Sequence, residues 1–193
     1  MLCKLLLSTT LLATTLFATQ ITLSDTANSQ TEQVAATSRV NHGLDFSQIK
    51  DGPLFIQLFT DNRPCLSDDQ CNESSLINLD NQTELALNNN LATLAQQVLT
   101  HSFEDGQAAL ADSDQNSLAL TGSVVKAVID NNAVILQLEF SLRKDQRTVW
   151  QSSYRGKSNL NKTQTTGDAI NHAINKAIEE LMYDDYFVME LID

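Results

Sequence analysis

The clearest hydrophobic pattern in this chain lies between residues 118 and 157. Val134, Leu136, Leu138, Phe140 and Leu142 alternate with Ile135, Gln137, Glu139, Ser141 and Arg143. A period of two, apolar on one face and mostly polar on the other, predicts an antiparallel strand covered on one side. Leu118 to Ile129 is rich in β-branched residues and predicts the strand before it. The two runs meet at Asp130-Asn131-Asn132, where asparagine tolerates the positive φ angles of a two-residue hairpin turn. Lys144-Asp145-Gln146 makes a second polar turn. Thr148 to Lys157 forms the third strand, with Trp150 and Tyr154 on the face opposite Val149 and Arg155.

Three further segments surround this meander. Leu54 to Phe59 is a nearly continuous apolar run between Asp51-Gly52-Pro53 and Asp61-Asn62-Arg63-Pro64, which predicts a first strand buried on both faces or nearly so. Asn81-Gln82-Thr83-Glu84 reads as a capping box with Asn81 as N-cap. The helix it opens would bury Leu87, Leu91, Leu94, Ala95, Val98 and Leu99, spaced by three or four, and end near Phe103, with Gly106 just past the end. Gln107 to Ser117 reads as a polar connection. A second helix starts at Thr165 or Thr166, with Asp168 in its first turn, and carries the stripe Ala169, Ile170, Ala173, Ile174, Ala177, Ile178 and Leu181. The tail from Tyr186 to Ile192 is too apolar for a free end, so it packs back on the domain or presents a partner-binding strip. The expected fold is α+β: a largely antiparallel four-stranded sheet with two helices on one face, in the order β-α-β-β-β-α, as one domain over residues 51–193.

The first residues read differently. Lys4 supplies a positive start, Leu5 to Phe17 an apolar stretch, and Leu16-Phe17-Ala18 a small-residue cleavage site. Residues 1–18 are therefore expected to be a signal peptide, and 19–50 a flexible polar segment. An apolar stretch of about 13 residues is too short to span a bilayer as a helix, so no transmembrane helix is expected after its removal. A retained anchor is the alternative. The expected location is periplasmic or secreted.

Charge narrows the partners. The full chain carries −12, and losing residues 1–18 removes Lys4 and no acid. An acidic chain without a basic cluster repels phosphate backbones, which argues against nucleic acid and against electrostatic adhesion to anionic lipid.

Cys65 and Cys71, six positions apart in a polar loop, are expected to form a disulfide in an oxidising compartment. Asp68, Asp69 and Glu73 in that loop match no established calcium spacing and read as a solvated acidic loop. Asn72, Asn81 and Asn161 open Asn-x-Ser/Thr triplets, which matter only in a eukaryotic secretory pathway. His42, His101 and His172 fall at polar positions, and Asp184-Asp185 just past a helix reads as solvated. No zinc, nucleophile-elbow, phosphate-loop or dinucleotide motif occurs. No catalytic residue, metal or cofactor is assigned.

The order of elements and three sequences resemble the YajG-type small envelope lipoproteins of Gram-negative bacteria, over about residues 52–192. These are the hydrophobic first strand with its Leu-rich helix, the strand Trp150-Gln-Ser-Ser-Tyr154-Arg-Gly156-Lys, and the helix Gly167-Asp-Ala-Ile-Asn-His-Ala-Ile-Asn-Lys-Ala-Ile. The chain lacks the lipobox cysteine of that family, since Cys3 precedes the apolar core. The resemblance implies a non-enzymatic periplasmic protein and transfers no functional residue.

The functional expectation is a protein-binding or accessory module of the cell envelope. Its partner is another envelope protein or a second copy. The candidate face is the polar side of the meander: Gln137, Glu139, Arg143, Gln151 and Arg155. Two alternatives are a small-ligand carrier, with a pocket between sheet and helices near Trp150 and Tyr154, and an enzyme without a recognisable motif.

Overall fold

The computed structural model describes residues 43–64, 74–115, 117–160 and 165–192. The signal segment, most of the polar segment, Cys65 and Cys71 with their acidic loop, and Asn161 lie outside the described residues. Among the described residues, seven strands and three helices follow in order. They are β1 (Leu54–Ile56), β2 (Thr60–Asp61), β3 (Ser75–Asn78), β4 (Thr83–Ala86), α1 (Leu91–Asp105), β5 (Leu118–Asp130), β6 (Ala133–Lys144), β7 (Arg147–Asn159), α2 (Thr166–Met182) and α3 (Asp185–Ile192). The class is α+β as expected, but the sheet is larger than four strands and there is a third helix.

The meander forms where the alternation predicts it. β5, β6 and β7 pair antiparallel over almost their whole lengths. Both hairpins turn through two residues of positive φ: Asn131 (49°) with Asn132 (56°), and Asp145 (48°) with Gln146 (64°). This geometry matches the twist of the flanking strands. Leu136, Leu138 and Phe140 share one apolar cluster with Ile170, Ile174 and Ile178 of α2. Of the two expected starts of α2, Thr165 is the N-cap, in a capping box with Asp168: Asp168 N donates to Thr165 Oγ1 (3.0 Å) and Thr165 N to Asp168 Oδ2 (3.3 Å).

α2 lies almost against the backbone of β7. A Cβ built on Gly156 would stand 1.7 Å from the carbonyl oxygen of Ala173. Only a residue without a side chain fits there, and the alanines of α2 permit the approach.

The N-terminal half departs from expectation. β1 stops at Ile56, and Leu58 is 83% exposed, so the apolar run from Leu54 to Phe59 is two fragments rather than one buried strand. β1 and β2 each pair parallel with β5, as does β3 further along the same edge. Phe59 turns its ring over Gly122, where a Cβ would come within 2.4 Å of it.

The segment from Asn81 to Glu84 is no helix start. Asn81 Oδ1 accepts from Thr83 N (3.2 Å), in an Asx turn leading into β4, and Gln82 takes φ 56°. The N-cap of α1 is Asn90, whose Oδ1 accepts from Ala92 N (2.7 Å) and Thr93 N (3.3 Å). Leu87 is buried but precedes the helix. The stretch after α1 is also more ordered than a plain polar connection, since Leu54 N donates to Ala109 O and Ala111 N to Leu54 O.

The apolar tail folds back as α3, with Phe187 and Leu191 buried. Packing begins upstream of residue 51. Phe46 is buried against Phe103 with ring centroids 4.9 Å apart, and Lys50 N donates to Leu191 O.

Candidate functional site

The pairing register determines which side chains share a face. On the inner side, Leu142, Phe140, Leu138, Leu136 and Val134 stand beside Trp150, Ser152, Tyr154, Gly156 and Ser158. The other side therefore carries Gln137 beside Arg155, Glu139 beside Ser153, Ser141 beside Gln151 and Arg143 beside Thr148. All five candidate residues lie on this outer face. Gln137, Glu139 and Arg143 are half-buried, while Gln151 and Arg155 are exposed.

Their contacts stay within the meander. Gln137 Nε2 donates to Ser153 Oγ at 2.8 Å, and Gln151 Nε2 donates to a Glu139 carboxylate oxygen. Thr121 and Ser141 are hydrogen-bonded at 2.9 Å. Arg143 Nη2 donates to Gln146 O at 3.1 Å, across the second turn. Arg155 has no ion pair or side-chain hydrogen bond among the described residues. The face is a cross-strand polar lattice with one loose guanidinium near its middle.

Two further cations stand on this face, of which Lys126 is visible only in the structure. Lys157 is exposed two positions beyond Arg155. Lys126 is in register with Gln137 and thus in the same row as Arg155. Counting by two from Val124 would bury Lys126 on the inner side. A bulge between Val124 and Lys126 shifts the count by one and brings the lysine out. At the Arg143 end, a cleft of about 500 Å³ opens between Gln57, Asp114, Ser117, Arg143, Asp145 and Gln146.

The helix side offers a different environment. Trp150 and Tyr154 stack with centroids 6.3 Å apart, and Phe187 of α3 sits against Trp150 at 4.8 Å. The position suggested for a ligand pocket is thus occupied by the chain's own tail. Asp184 fixes that arrangement. Its Oδ1 accepts from Tyr186 N (2.8 Å) and Phe187 N (3.1 Å), and its Oδ2 accepts the Tyr154 hydroxyl. Burial, then the Asp184 hydrogen bond, raises the Tyr154 phenol above its ordinary value. Asp184 is therefore a helix cap rather than a solvated carboxylate. Asp185, its neighbour, is exposed in the first turn of α3.

His101 and His172 lie on different helices, half-buried and exposed respectively. His42 is outside the described residues. Among the described residues, no three His, Cys, Asp or Glu side chains are grouped to hold a metal ion, and no helix is long and apolar enough to cross a membrane.

No family model and no curated protein sequence matches this chain. Among solved structures, protein XCC0632 from Xanthomonas campestris, described as a DUF330 protein, is similar with a TM-score of 0.53. Sequence identity is 14%, over 79% of this chain and 90% of that one. PelC from Paraburkholderia phytofirmans, a dodecamer, gives 0.41 at 12% identity, over 70% and 92% of the two chains. Lipoprotein GNA1162 from Neisseria meningitidis gives 0.31 at 7%, over 67% and 96%. None of these names specifies the YajG type. The first likeness concerns the fold: this chain shares its architecture with a DUF330 protein.

Proposed function

We propose that this chain is a non-enzymatic module of the bacterial cell envelope, in the manner of the YajG-type proteins, that binds a protein partner through the outer face of its sheet. The observation that carries the reading is the asymmetry of β5–β7. One face is sealed by helices, and the other carries Gln137, Glu139, Arg143, Gln151 and Arg155 with no described helix over it. A lattice of cross-strand pairs holds most of these side chains in place, so a partner meets a surface that is largely ordered before binding. The envelope location rests on the signal-like segment from Lys4 to Ala18. The non-enzymatic reading is supported by the placement of His101 and His172 on different helices and by the capping role of Asp184.

The test is site-specific photo-crosslinking in intact envelopes. Probes at 137, 151 and 155 are expected to trap a defined protein, whereas a probe at exposed Gln97 on α1 is not. Equal background labelling from both sets of positions would remove the outer face from consideration.

A further inference from the structure

The surface charges of this chain are unevenly placed. On the outer face, Lys126, Arg155 and Lys157 are exposed and have no ion pair among the described residues. Lys126, Gln137 and Arg155 form one row across three strands. With neighbouring strands about 4.8 Å apart, the two cations stand about 10 Å from each other. Glu139 is the carboxylate within this area and is engaged by Gln151, while Asp130 and Glu84 lie at the rim. In a chain of net charge −12, this is a local cationic surface.

The opposite character appears where α2 turns into α3. Glu180, Asp184 and Asp185 fall within six residues, together with Tyr183 and Tyr186, which are 59% and 73% exposed. Met189, 43% exposed, continues the patch along α3. Exposed tyrosine and methionine with a charged surround resemble the composition of interface cores. Glu180 also stands in the last turn of α2, which has no basic residue, and opposes the helix dipole, while Glu179 beside it is paired with Lys176. Cations brought against this corner would relieve that repulsion, and an arginine could stack on the exposed tyrosine rings.

We infer that the basic outer face of one molecule seats the acidic α2–α3 corner of a second copy, head to tail. The inference rests on the partner-binding reading of the outer face and names the partner. The two surfaces are different, so the contact is heterologous and leads to a ring or an open filament rather than a two-fold dimer. Electrostatic complementarity sets the register and steers the encounter.

Sedimentation velocity on the purified chain tests it, at about 10 mM and about 1 M salt, between which the screening length falls from about 30 Å to about 3 Å. The expected result is assembly at low salt that dissociates at high salt. The triple variant Lys126→Glu/Arg155→Glu/Lys157→Glu is expected to be monomeric alone, as is Glu180→Lys/Asp185→Lys. An equimolar mixture of the two is expected to assemble, because each supplies the surface the other has reversed. Circular dichroism on each variant verifies folding, and recovery in the mixture excludes simple misfolding. A monomeric wild-type chain at low salt, or a mixture that stays monomeric, overturns the inference. Should the wild type be monomeric while the probe at 151 still crosslinks a different envelope protein, self-association falls and the partner-binding reading stands.

Discussion

The two halves of the sheet are built in different ways. β5, β6 and β7 have 13, 12 and 13 residues, and each meets its neighbour through a two-residue turn. β1 to β4 have 3, 2, 4 and 4 residues. The long strands carry their own register, because alternation over a dozen residues leaves one pairing that keeps every apolar side chain inside. The short ones lack that information. β1, β2 and β3 are held by β5, and β4 by β3, with individual side chains adding to the hold. Arg63 forks onto Asp61, with Nε to Oδ1 at 2.8 Å and Nη2 to Oδ2 at 2.6 Å, and its Nη1 reaches Ser75 O at 2.7 Å, which ties β2 to β3. Asp80 accepts from Asn131 N (2.9 Å) and Asn132 N (3.1 Å), so the turn before β4 grips the first hairpin. Regular pattern stabilises one half, and specific polar contacts stabilise the other.

Substitutions can break or sharpen that contrast. The largest effect is expected at the close approach of α2 to β7. Gly156→Val would force apart two backbones and is expected to cost about 4 kcal/mol, more than ordinary overpacking because the obstructing atoms belong to the helix backbone. Urea unfolding measures it; a loss below about 1 kcal/mol would mean that α2 can shift freely.

Phe187→Ala removes a fully buried ring from between Trp150 and Phe103 and is expected to cost about 3 kcal/mol. Trp150 emission should then shift to longer wavelength, and an unchanged spectrum would place α3 elsewhere in solution.

In the other half, Asp61→Ala leaves Arg63, whose side chain is 13% exposed, without its carboxylate, at a cost of about 2 kcal/mol. Hydrogen exchange should rise first at β2 and β3. Faster exchange in β6 instead would show that the halves do not divide as described.

Tyr154→Phe removes the hydroxyl bond to Asp184, worth about 1 kcal/mol. It also has a pH signature. The folded phenol titrates above the unfolded one, whose pKa is about 10. Its contribution is complete below about pH 10 and declines as pH rises further, because the unfolded chain releases that proton first. The variant should show a shallower loss of stability above about pH 10, and parallel profiles would exclude this linkage.

Least affected is the outer face. Gln151→Ser and Arg155→Ser are each expected to change stability by less than about 0.5 kcal/mol while lowering the crosslinking yield. A large stability change there would recast the face as structural.

The same contrast explains what was legible from residues alone. The meander was, because its period of two persists from Val134 to Arg143 and its turns fall on residues that accept positive φ. α2 was, because threonines at 165 and 166, Asp168 and the stripe from Ala169 to Leu181 mark it to within one residue. The start of α1 lies nine residues beyond the one the pattern points to, since Asn-x-x-Glu occurs at Asn81 whereas the N-cap, Asn90, has Thr93 at the third position. An Asx turn and a helix cap use the same asparagine acceptor, and only the following backbone separates them. β3, a run of Ser75-Leu76-Ile77-Asn78, is too short to announce itself, and its pairing partner lies some 50 residues away in β5. Leu54 to Phe59 carries enough apolar residues for a strand, but its pairing with β5 breaks between Ile56 and Thr60. Of the candidate face, the five residues drawn from alternation do fall on one side. Lys126 was hidden by the bulge beside it, which reverses the parity on which alternation depends.

The sharing of β5 has a consequence for the order of assembly. β1, β2 and β3 all take their hydrogen bonds from one edge of β5, which is not complete until Asp130. A chain synthesised or exported from its N-terminus therefore presents its first three strands before their common template exists. β1 and β2 must wait unpaired, and β3 can pair only with β4, while β5 emerges, and the cost of closing those loops falls late. The C-terminal meander, by contrast, can close each hairpin as it appears. The polar clamps of Arg63 and Asp80 are latches on an edge that joins last.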